Sequence, residues 1–323
     1  MATQELSLAG RRVWVAGHRG MVGSALARAL ARENVQLLTA SRGELDLRRQ
    51  SDTEAWMRQH RPEIIFMAAA RVGGILANDL YPAQFLYDNL QIQSNIVEAA
   101  RVLGVEKTML LGSSCIYPRM APQPITEDSL LTGPLEETNQ WYAIAKIAGV
   151  KLAQAYRRQY GMNLISVMPT NLYGPNDEYD LQNSHVAAAF LRRIHQAKVE
   201  GAAQVTIWGS GTPLREFLHV DDLAQACIFL MKTWSDPDPI NIGSGQEVTV
   251  FDLARLIADI VGWSGEFVFD GSKPDGTPRK LLDVSRLTGL GWTASIPLRE
   301  GLADAYGDFK ARWEAGEFAR AAA

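Results

Sequence analysis

The chain has few cysteines, no long apolar run and no excess of positive charge. Its two cysteines, Cys115 and Cys227, are too few for a disulfide-stapled scaffold or a four-cysteine metal site, and they favour a reducing, cytoplasmic compartment. The longest apolar run, Ile64–Ala70, is far shorter than the roughly 18 residues that suggest a membrane span. A net charge of −4 offers no general attraction for nucleic acid or an anionic membrane, and Met1–Gly10 lacks the pattern of a secretion signal.

What the chain does contain is an ordinary globular composition, with 47% hydrophobic and 21% charged residues over 323 positions. This length predicts two domains or one large α/β unit. Short apolar runs alternate with helical patterns in the first half, which predicts a parallel sheet with helical crossovers. Strands are expected at Arg12–Ala16, Gln36–Ala40, Glu63–Ala69, Thr108–Gly112, Leu164–Met168 and Ile240–Gly243. Helices are expected at Met21–Arg32, Ile92–Leu103, Ala143–Tyr160, His185–Lys198, Val220–Met231 (capped by Asp221 or Asp222) and Thr249–Val261 (with a Thr249–Asp252 capping box).

A glycine-rich loop joins the first predicted strand to the first predicted helix. Its spacing is Gly-x-x-Gly-x-x-Gly, which lets the backbone approach a pyrophosphate while the helix N-terminus supplies free N–H groups. The strand–turn–helix context makes this otherwise weak motif a prediction of a dinucleotide site. The predicted cofactor residues of the loop are Gly17, His18, Arg19, Gly20, Met21, Val22 and Gly23.

The end of the second predicted strand bears on the choice between NAD and NADP. An acidic residue there would bind the ribose hydroxyls of NAD, but this chain has Arg42 instead. The planar guanidinium of Arg42, like that of Arg19, suits the 2′-phosphate of NADP. We therefore predict NADP(H), while Glu44 and Asp46 keep NAD open and Arg42 is also compatible with a solvated surface residue.

Tyr142 and Lys146 form a Tyr-x-x-x-Lys motif within a predicted helix. The i to i+4 spacing places both side chains on one helix face. A nearby ammonium favours the phenolate, so Lys146 is expected to lower the pKa of Tyr142 towards the working pH. Together with the glycine loop, and with Ser113 following a predicted strand, the pair predicts a catalytic site that donates and accepts protons.

Gly17–Gly23, Ser113 and the Tyr142–Lys146 motif together resemble the extended short-chain dehydrogenase/reductase family. Further motifs are similar to those of its GDP-sugar epimerase/reductases, from about Arg11 to Lys310. They are Gly112–Pro118, Met168–Pro175, Asn183–Val186, Trp208–Thr212, Arg215–Asp222 and Lys273–Lys280. The resemblance implies an α/β fold, a Rossmann doubly wound parallel sheet with a smaller C-terminal substrate-binding domain. The implied limits are 1–178 for the NADP-binding domain, with 215–245 crossing back to it, and 179–323 for the GDP-sugar-binding domain.

The resemblance also implies the chemistry. The implied substrate is GDP-4-keto-6-deoxy-D-mannose, epimerised at C3 and C5 and then reduced at C4 with NADPH by a homodimeric enzyme. The ketone acidifies the protons at C3 and C5, so epimerisation needs a base and an acid on opposite faces of the ring. The resemblance assigns Cys115 as base and His185 as acid. Tyr142 and Ser113 would hydrogen-bond the C4 oxygen, and Lys146 would hold the nicotinamide ribose.

The remaining implied contacts divide between cofactor and substrate. The cofactor cleft would be completed by Leu111, Gly112, Ser113, Ser114, Lys146, Pro169, Thr170, Asn171, Leu172 and His185. The nucleotide diphosphate or the sugar would be bound by Arg193, Arg215 and Lys280, with Trp208 and Asp275 beside them. Trp141, directly before Tyr142, is expected to be bulky enough to crowd the sugar site.

Several alternatives stay open at the level of sequence. Cys115 is also compatible with a packed residue, His185 with a surface histidine, Trp208 with the core and Asn171 with a turn. Cys227 has helical spacing with apolar neighbours and is predicted to lie in the core. The rival functions are a 4-epimerase, a 4,6-dehydratase or a cofactor-sensing protein on the same fold. No His, Cys, Asp or Glu spacing suggests a metal site.

Overall fold

The computed structural model describes residues 5–180, 184–273 and 275–318, and within them it contains twelve strands and ten α-helices. The strands are β1 Arg12–Ala16, β2 Gln36–Leu38, β3 Ile64–Met67, β4 Lys107–Leu111, β5 Leu164–Pro169, β6 Asn171–Tyr173, β7 Gln204–Trp208, β8 Leu214–His219, β9 Ile240–Ile242, β10 Glu247–Thr249, β11 Glu266–Asp270 and β12 Arg279–Lys280. The helices are α1 Met21–Leu30, α2 Gln50–His60, α3 Ile75–Leu80, α4 Pro82–Leu103, α5 Gln140–Tyr160, α6 Val186–Glu200, α7 Val220–Thr233, α8 Val250–Val261, α9 Ser285–Gly289 and α10 Leu298–Glu314. Asn183 and Pro274, which belong to two of the sequence motifs, lie outside the described residues, as do Met1–Gln4.

Six of the described strands form a parallel sheet in the order β2-β1-β3-β4-β5-β9. Its inner strands are mostly apolar on both faces, as expected where helices cover both sides of a parallel sheet. In β1, Val13 and Val15 pack into a core shared with α1 and α7, whereas Trp14 and Ala16 pack into a second core shared with α4 and α5. The predicted α/β fold with a doubly wound parallel sheet is confirmed.

A smaller layer lies beyond the carboxyl ends of these strands. It contains a sheet in the order β10-β8-β12, with β6 also paired to β8, and a two-stranded sheet of β7 and β11. Its own apolar core includes Leu253 of α8, Ile194 of α6 and Phe309 of α10. The chain then returns, since β9 joins the edge of the six-stranded sheet beside β5, and α7 packs against α1.

The structure corrects the predicted cap of α7. The N-cap is His219, whose Nδ1 accepts a hydrogen bond from the backbone N–H of Asp221 at 3.2 Å. Asp222 is unavailable because its carboxylate accepts hydrogen bonds from Ser295 and from the backbone N–H of Ile296. The capping box of α8 is confirmed, with Thr249 Oγ1 accepting from the N–H of Asp252 at 2.9 Å.

Candidate active site

All of the residues that were predicted to be catalytic or to bind cofactor or substrate line one cleft of about 1070 Å³. The cleft lies where the strands of the six-stranded sheet end, against the smaller layer. Ligands bind at this edge of open α/β sheets because loops and helix N-termini converge there. Its volume exceeds the usual range for a single small ligand, which leaves room for a dinucleotide and a second molecule.

The glycine loop forms one end of the cleft. Gly17 has a φ of +87°, a conformation that residues with a Cβ rarely adopt. A Cβ on Gly23 would overlap the carbonyl oxygen of Gly17 and lie 2.8 Å from the Cα of His18. Gly20 is the N-cap of α1 and has no side chain to cover the first turn. The loop is therefore packed tightly onto α1, and the N–H groups at the helix start are left for an anion.

Two guanidinium groups lie at the mouth of this end of the cleft. Arg19 and Arg42 are both exposed, and neither has an ion-pair partner in the described part of the chain. The two carboxylates that kept NAD open are already engaged. Glu44 accepts a hydrogen bond from the N–H of Ser41 at 2.7 Å, and Asp46 forms a two-pronged ion pair with Arg48 at 2.9 and 2.8 Å. This arrangement favours a phosphate over a pair of ribose hydroxyls.

Tyr142 and Lys146 lie one turn apart on α5 and face the cleft. Lys146 Nζ donates a hydrogen bond to the carbonyl oxygen of Leu111 at 2.7 Å and lies 5.7 Å from the centre of the Tyr142 ring. Burial lowers the pKa of Lys146 to about 8. Burial also raises the pKa of Tyr142, the negative charge of Cys115 raises it further, and a hydrogen bond with Ser113 opposes this rise. The expected lowering of the Tyr142 pKa is therefore wrong for this structure, since burial and the Cys115 charge raise it and Lys146 is not among the groups that shift it, and Tyr142 is a neutral phenol able to donate a proton.

Cys115 follows β4 in a short 3-10 turn over residues Ser114–Ile116, which Ser113 caps by accepting a hydrogen bond from the N–H of Cys115 at 3.2 Å. The thiol is partly exposed to the cleft, and Lys280 Nζ lies 3.4 Å from its Sγ. Burial alone would raise the pKa of Cys115, but the Lys280 charge and the hydrogen bond with Ser113 outweigh it and hold the pKa below its ordinary value. Cys115 thus has the surroundings of a reactive thiol.

His185 is the N-cap of α6, in the second half of the chain, and it lines the same cleft. The residue as a whole is exposed, but desolvation of its imidazole in the cleft lowers its pKa, and the positive charge of Lys280 lowers it further. The structure therefore brings Cys115, His185 and Lys280 together, although they are far apart in sequence. This is the composition expected for exchange of protons between two groups across a bound molecule.

The far end of the cleft carries an aromatic ring between cations. Trp208 is 49% exposed, so its alternative interpretation as a core residue is wrong. The guanidinium of Arg193 lies 4.8 Å from its ring centre, and the ammonium of Lys273 lies 5.7 Å away. Asp275 accepts hydrogen bonds from the backbone and side chain of Ser210 at 2.7 and 2.9 Å, which fixes the turn after β7. A flat ring flanked by cations suits a base joined to phosphates.

Three further residues singled out in the sequence have different surroundings. Asn171 Nδ2 donates to the carbonyl oxygen of Glu216 at 2.8 Å and also lines the cleft. Cys227 is completely buried in the core, as predicted. Trp141 is 41% exposed and is not among the cleft residues, so the expectation that it crowds the site is wrong. It points away because α5 already begins at Gln140, which turns successive side chains by about 100°.

Sequence reasoning missed several polar cleft residues just before α5, among them Glu136 and Asn139. Glu136 lines the cleft, pairs with Arg119 at 3.2 Å and accepts a hydrogen bond from Thr277 at 3.4 Å. Asn139 also lines it, and its side-chain oxygen is buried without a partner among the described residues. The position of Asn139, three residues before Tyr142 at the start of a helix, was the one available signal.

The described residues hold no cluster of three His, Cys, Asp or Glu side chains that could bind a metal ion. None of their helices combines the length and the apolar character needed to cross a membrane.

Comparison with known proteins agrees with this geometry. The profile of the NAD dependent epimerase/dehydratase family matches residues 13–243. The chain belongs to this family. The resemblance to the extended short-chain dehydrogenase/reductases, which include such enzymes, is therefore confirmed.

Individual relatives match nearly end to end. The chain is 56% identical to GDP-L-fucose synthase 1 of Arabidopsis thaliana, over 91% of this chain and 92% of that protein. It is 55% identical to GDP-L-fucose synthase of Sinorhizobium fredii, over 94% and 96% respectively. A crystal structure of a GDP-L-fucose synthetase from Naegleria fowleri, bound to NADP, superposes with a TM-score of 0.89 at 26% identity, covering 96% of this chain and 98% of that one.

Proposed function

We propose that this chain converts GDP-4-keto-6-deoxy-D-mannose to GDP-L-fucose, by epimerisation at C3 and C5 followed by NADPH-dependent reduction at C4. The observation that carries the proposal is the meeting of Cys115 and His185 with Tyr142 and Lys146 in one cleft. A reductase alone needs only the second pair. The relatives named GDP-L-fucose synthase, more than half identical over nine-tenths of the chain, support the same activity.

The residues present fit NADP(H). The Gly17–Gly23 loop packs so closely onto α1 that a Cβ at Gly23 would overlap the Gly17 carbonyl, and Nδ1 of His18 is buried without a partner in the described part of the chain. The loop would hold the pyrophosphate, Arg19 and Arg42 the 2′-phosphate, and Lys146 the nicotinamide ribose, since its ammonium has donors to spare beyond the bond to Leu111. When bound, the cofactor supplies the hydride for C4.

The bound 4-keto sugar would be epimerised between Cys115 and His185. The thiolate of Cys115 removes the proton from the carbon next to the ketone, and the electron pair moves to the C4 oxygen. His185 returns a proton to the opposite face of that carbon. The negative charge on the substrate favours the protonated imidazole, which offsets the lowering of the His185 pKa by burial.

Tyr142 and Ser113 would serve both halves of the reaction. Their hydroxyls hydrogen-bond the C4 oxygen while it carries negative charge, and such contacts stabilise the transition state because they are already in place. Tyr142 then donates its proton to the same oxygen during reduction. Its raised pKa keeps the proton available at neutral pH.

The nucleotide would lie against the smaller layer. The guanine can stack on the exposed ring of Trp208, while Arg193 and Arg215 bind the diphosphate. Burial lowers the pKa of both guanidiniums, which are still cationic at neutral pH and gain from an anionic partner. Asp275 holds the Ser210 turn on which this surface rests. We accordingly propose residues 179–323 as the GDP-sugar domain and 1–178 as the NADP domain, with 215–245 returning to it.

Assembly and location belong to the proposal as well. Much apolar surface is left exposed on α4 and α5, two helices that pack against each other. It belongs to Tyr81 directly before α4, to Tyr87 of α4, and to Trp141 and Ile144 of α5. A second copy of the chain placed against these helices would cover that surface and form a homodimer. The free, unpaired cysteines fit a cytoplasmic enzyme.

The product identifies the function. The chain is incubated with NADPH and GDP-4-keto-6-deoxy-D-mannose in deuterated water, and the sugar is analysed by NMR. We expect GDP-L-fucose with solvent deuterium at C3 and C5 and consumption of one NADPH per sugar. A product reduced at C4 without deuterium would indicate a simple reductase. No NADPH consumption with any 4-keto sugar would favour the cofactor sensor.

A matched variant separates the two steps. Cys115→Ser keeps a side chain of similar shape, but its hydroxyl is a far poorer base than a thiol. We expect most of the deuterium incorporation to be lost while some NADPH is still oxidised. Incorporation at both carbons at the wild-type rate would contradict the role of Cys115 as base.

A further inference from the structure

Lys280 is placed unusually for a residue that only binds phosphate. It lies on β12, which pairs with β8 so that Lys280 is in register with Arg215. Its neighbour Arg279 is ion-paired to Glu247 at 2.8 Å. Lys280 has no carboxylate within 4 Å among the described residues, and its one described side-chain hydrogen bond is to the sulfur of Cys115. The ammonium of Lys280 is therefore directed at Cys115, the residue proposed to act on the sugar.

The other groups around Cys115 do not supply a positive charge. Ser113 is neutral and contributes only hydrogen bonds. Tyr142, from α5, is a half-buried phenol whose ionisation the Cys115 charge disfavours. His185, from the start of α6, is itself held towards its neutral form by desolvation of its imidazole and by Lys280. Of the groups that shift the pKa of Cys115, Lys280 is thus the one that carries a positive charge in the free protein, and Lys146 of α5, in the same cleft, is not among them.

We propose that Lys280 is a positioning residue for epimerisation, whose ammonium holds the sulfur of Cys115 as the thiolate before substrate binds. This rests on the proposed function, in which Cys115 is the base. A thiolate stabilised by a lysine leaves the imidazole of His185 free to act as the second proton-exchanging group. A thiolate paired with a histidine would instead occupy that imidazole. The base then needs no proton transfer to His185 to become active.

The proposal is tested without substrate, by the pH dependence of alkylation of the full chain with iodoacetamide. Modification of the peptide that carries Cys115 is followed by mass spectrometry, and the buried Cys227 reports any unfolding. An opposite charge within about 4–6 Å usually lowers a pKa by 1–3 units. In Lys280→Met we therefore expect the midpoint of the profile to rise by about 1–3 pH units.

Two further variants make the result specific. Lys280→Arg restores the charge and should return the midpoint close to that of the wild type. Arg279→Met removes a charge from the same strand and should leave the midpoint unchanged. If Lys280→Met alkylates at Cys227 and is therefore unfolded, Lys280→Gln provides the neutral replacement.

An unchanged midpoint in a folded Lys280→Met or Lys280→Gln variant would overturn the proposal. In deuterated water the same variant should also lose solvent exchange at C3 and C5 to a greater extent than it loses reduction at C4. If the midpoint shifts but Cys115→Ser still exchanges deuterium normally, the proposed role of Cys115 fails while the Lys280–Cys115 pair stands. The two failures are therefore distinguishable.

Discussion

Gly23→Ala sets two physical effects of opposite sign against each other. Gly23 lies in the first turn of α1, where helix propensity alone predicts that alanine stabilises the protein by about 1 kcal/mol. Its Cβ, however, would overlap the Gly17 carbonyl and lie 2.6 Å from the carbonyl carbon. These are backbone atoms, so loop and helix must separate by roughly 1 Å, and overpacking of this kind costs about 1–3 kcal/mol. With the upper end of that range, we expect a net loss of about 2 kcal/mol in the free energy of unfolding.

The control is the same substitution in another helix. Gly307 lies within α10, and a Cβ there would meet nothing within 4 Å. Gly307→Ala should therefore stabilise the protein by about 0.5–1 kcal/mol. Urea unfolding followed by circular dichroism gives both free energies, and fluorescence titration gives the affinity for NADPH, which should fall only in Gly23→Ala. Equal stability of the two variants would show that the loop is not packed against α1 as described.

Four shorter predictions follow from the site and its support. Tyr142→Phe should lower kcat by about 10²–10⁴-fold, as expected for loss of a proton donor, while NADPH affinity by fluorescence titration stays within a few-fold of wild type. Arg42→Gln should raise the KM for NADPH by about tenfold and leave that for NADH nearly unchanged, which steady-state kinetics with both cofactors can check. Trp208→Ala should raise the KM for the GDP-sugar more than Trp208→Phe does, because stacking on a base contributes about 1–3 kcal/mol. Asn241→Ala should destabilise the fold by about 2–4 kcal/mol in urea, since this buried side chain accepts a hydrogen bond from the Tyr117 hydroxyl at 2.6 Å and donates to two backbone carbonyls.

The elements that sequence reasoning found are those with a strong local signal. β3 is apolar at every position, β4 is apolar over Met109–Leu111, and both are buried along their whole length. α2 was missed because it buries only Thr53 and Met57, so its sequence carries almost no amphipathic pattern. The start of α4 was placed ten residues late, although Pro82 at its first turn is a recognised helix-start signal. β7 was overlooked despite its alternating burial because it is short and partly exposed.

The site was predictable where its residues are neighbours in sequence or belong to a motif. The Gly17–Gly23 loop and the Tyr142–Lys146 pair are of this kind. The contact between Lys280 and Cys115 joins positions 165 residues apart, and no local pattern reveals it. The direction of the Tyr142 pKa was also missed, because burial depends on the surrounding fold rather than on the spacing to Lys146.

The return of the chain to β9 has a consequence for synthesis on the ribosome. The six-stranded sheet lacks its last strand until residue 242 of 323 has emerged, and α1 lacks the cover of α7 until shortly before that. Until β9 is available, β5 is the edge strand of the sheet, and its unpaired backbone groups can pair with other chains. The nascent polypeptide therefore passes through a stage, about three-quarters of its length, at which protection by chaperones matters most.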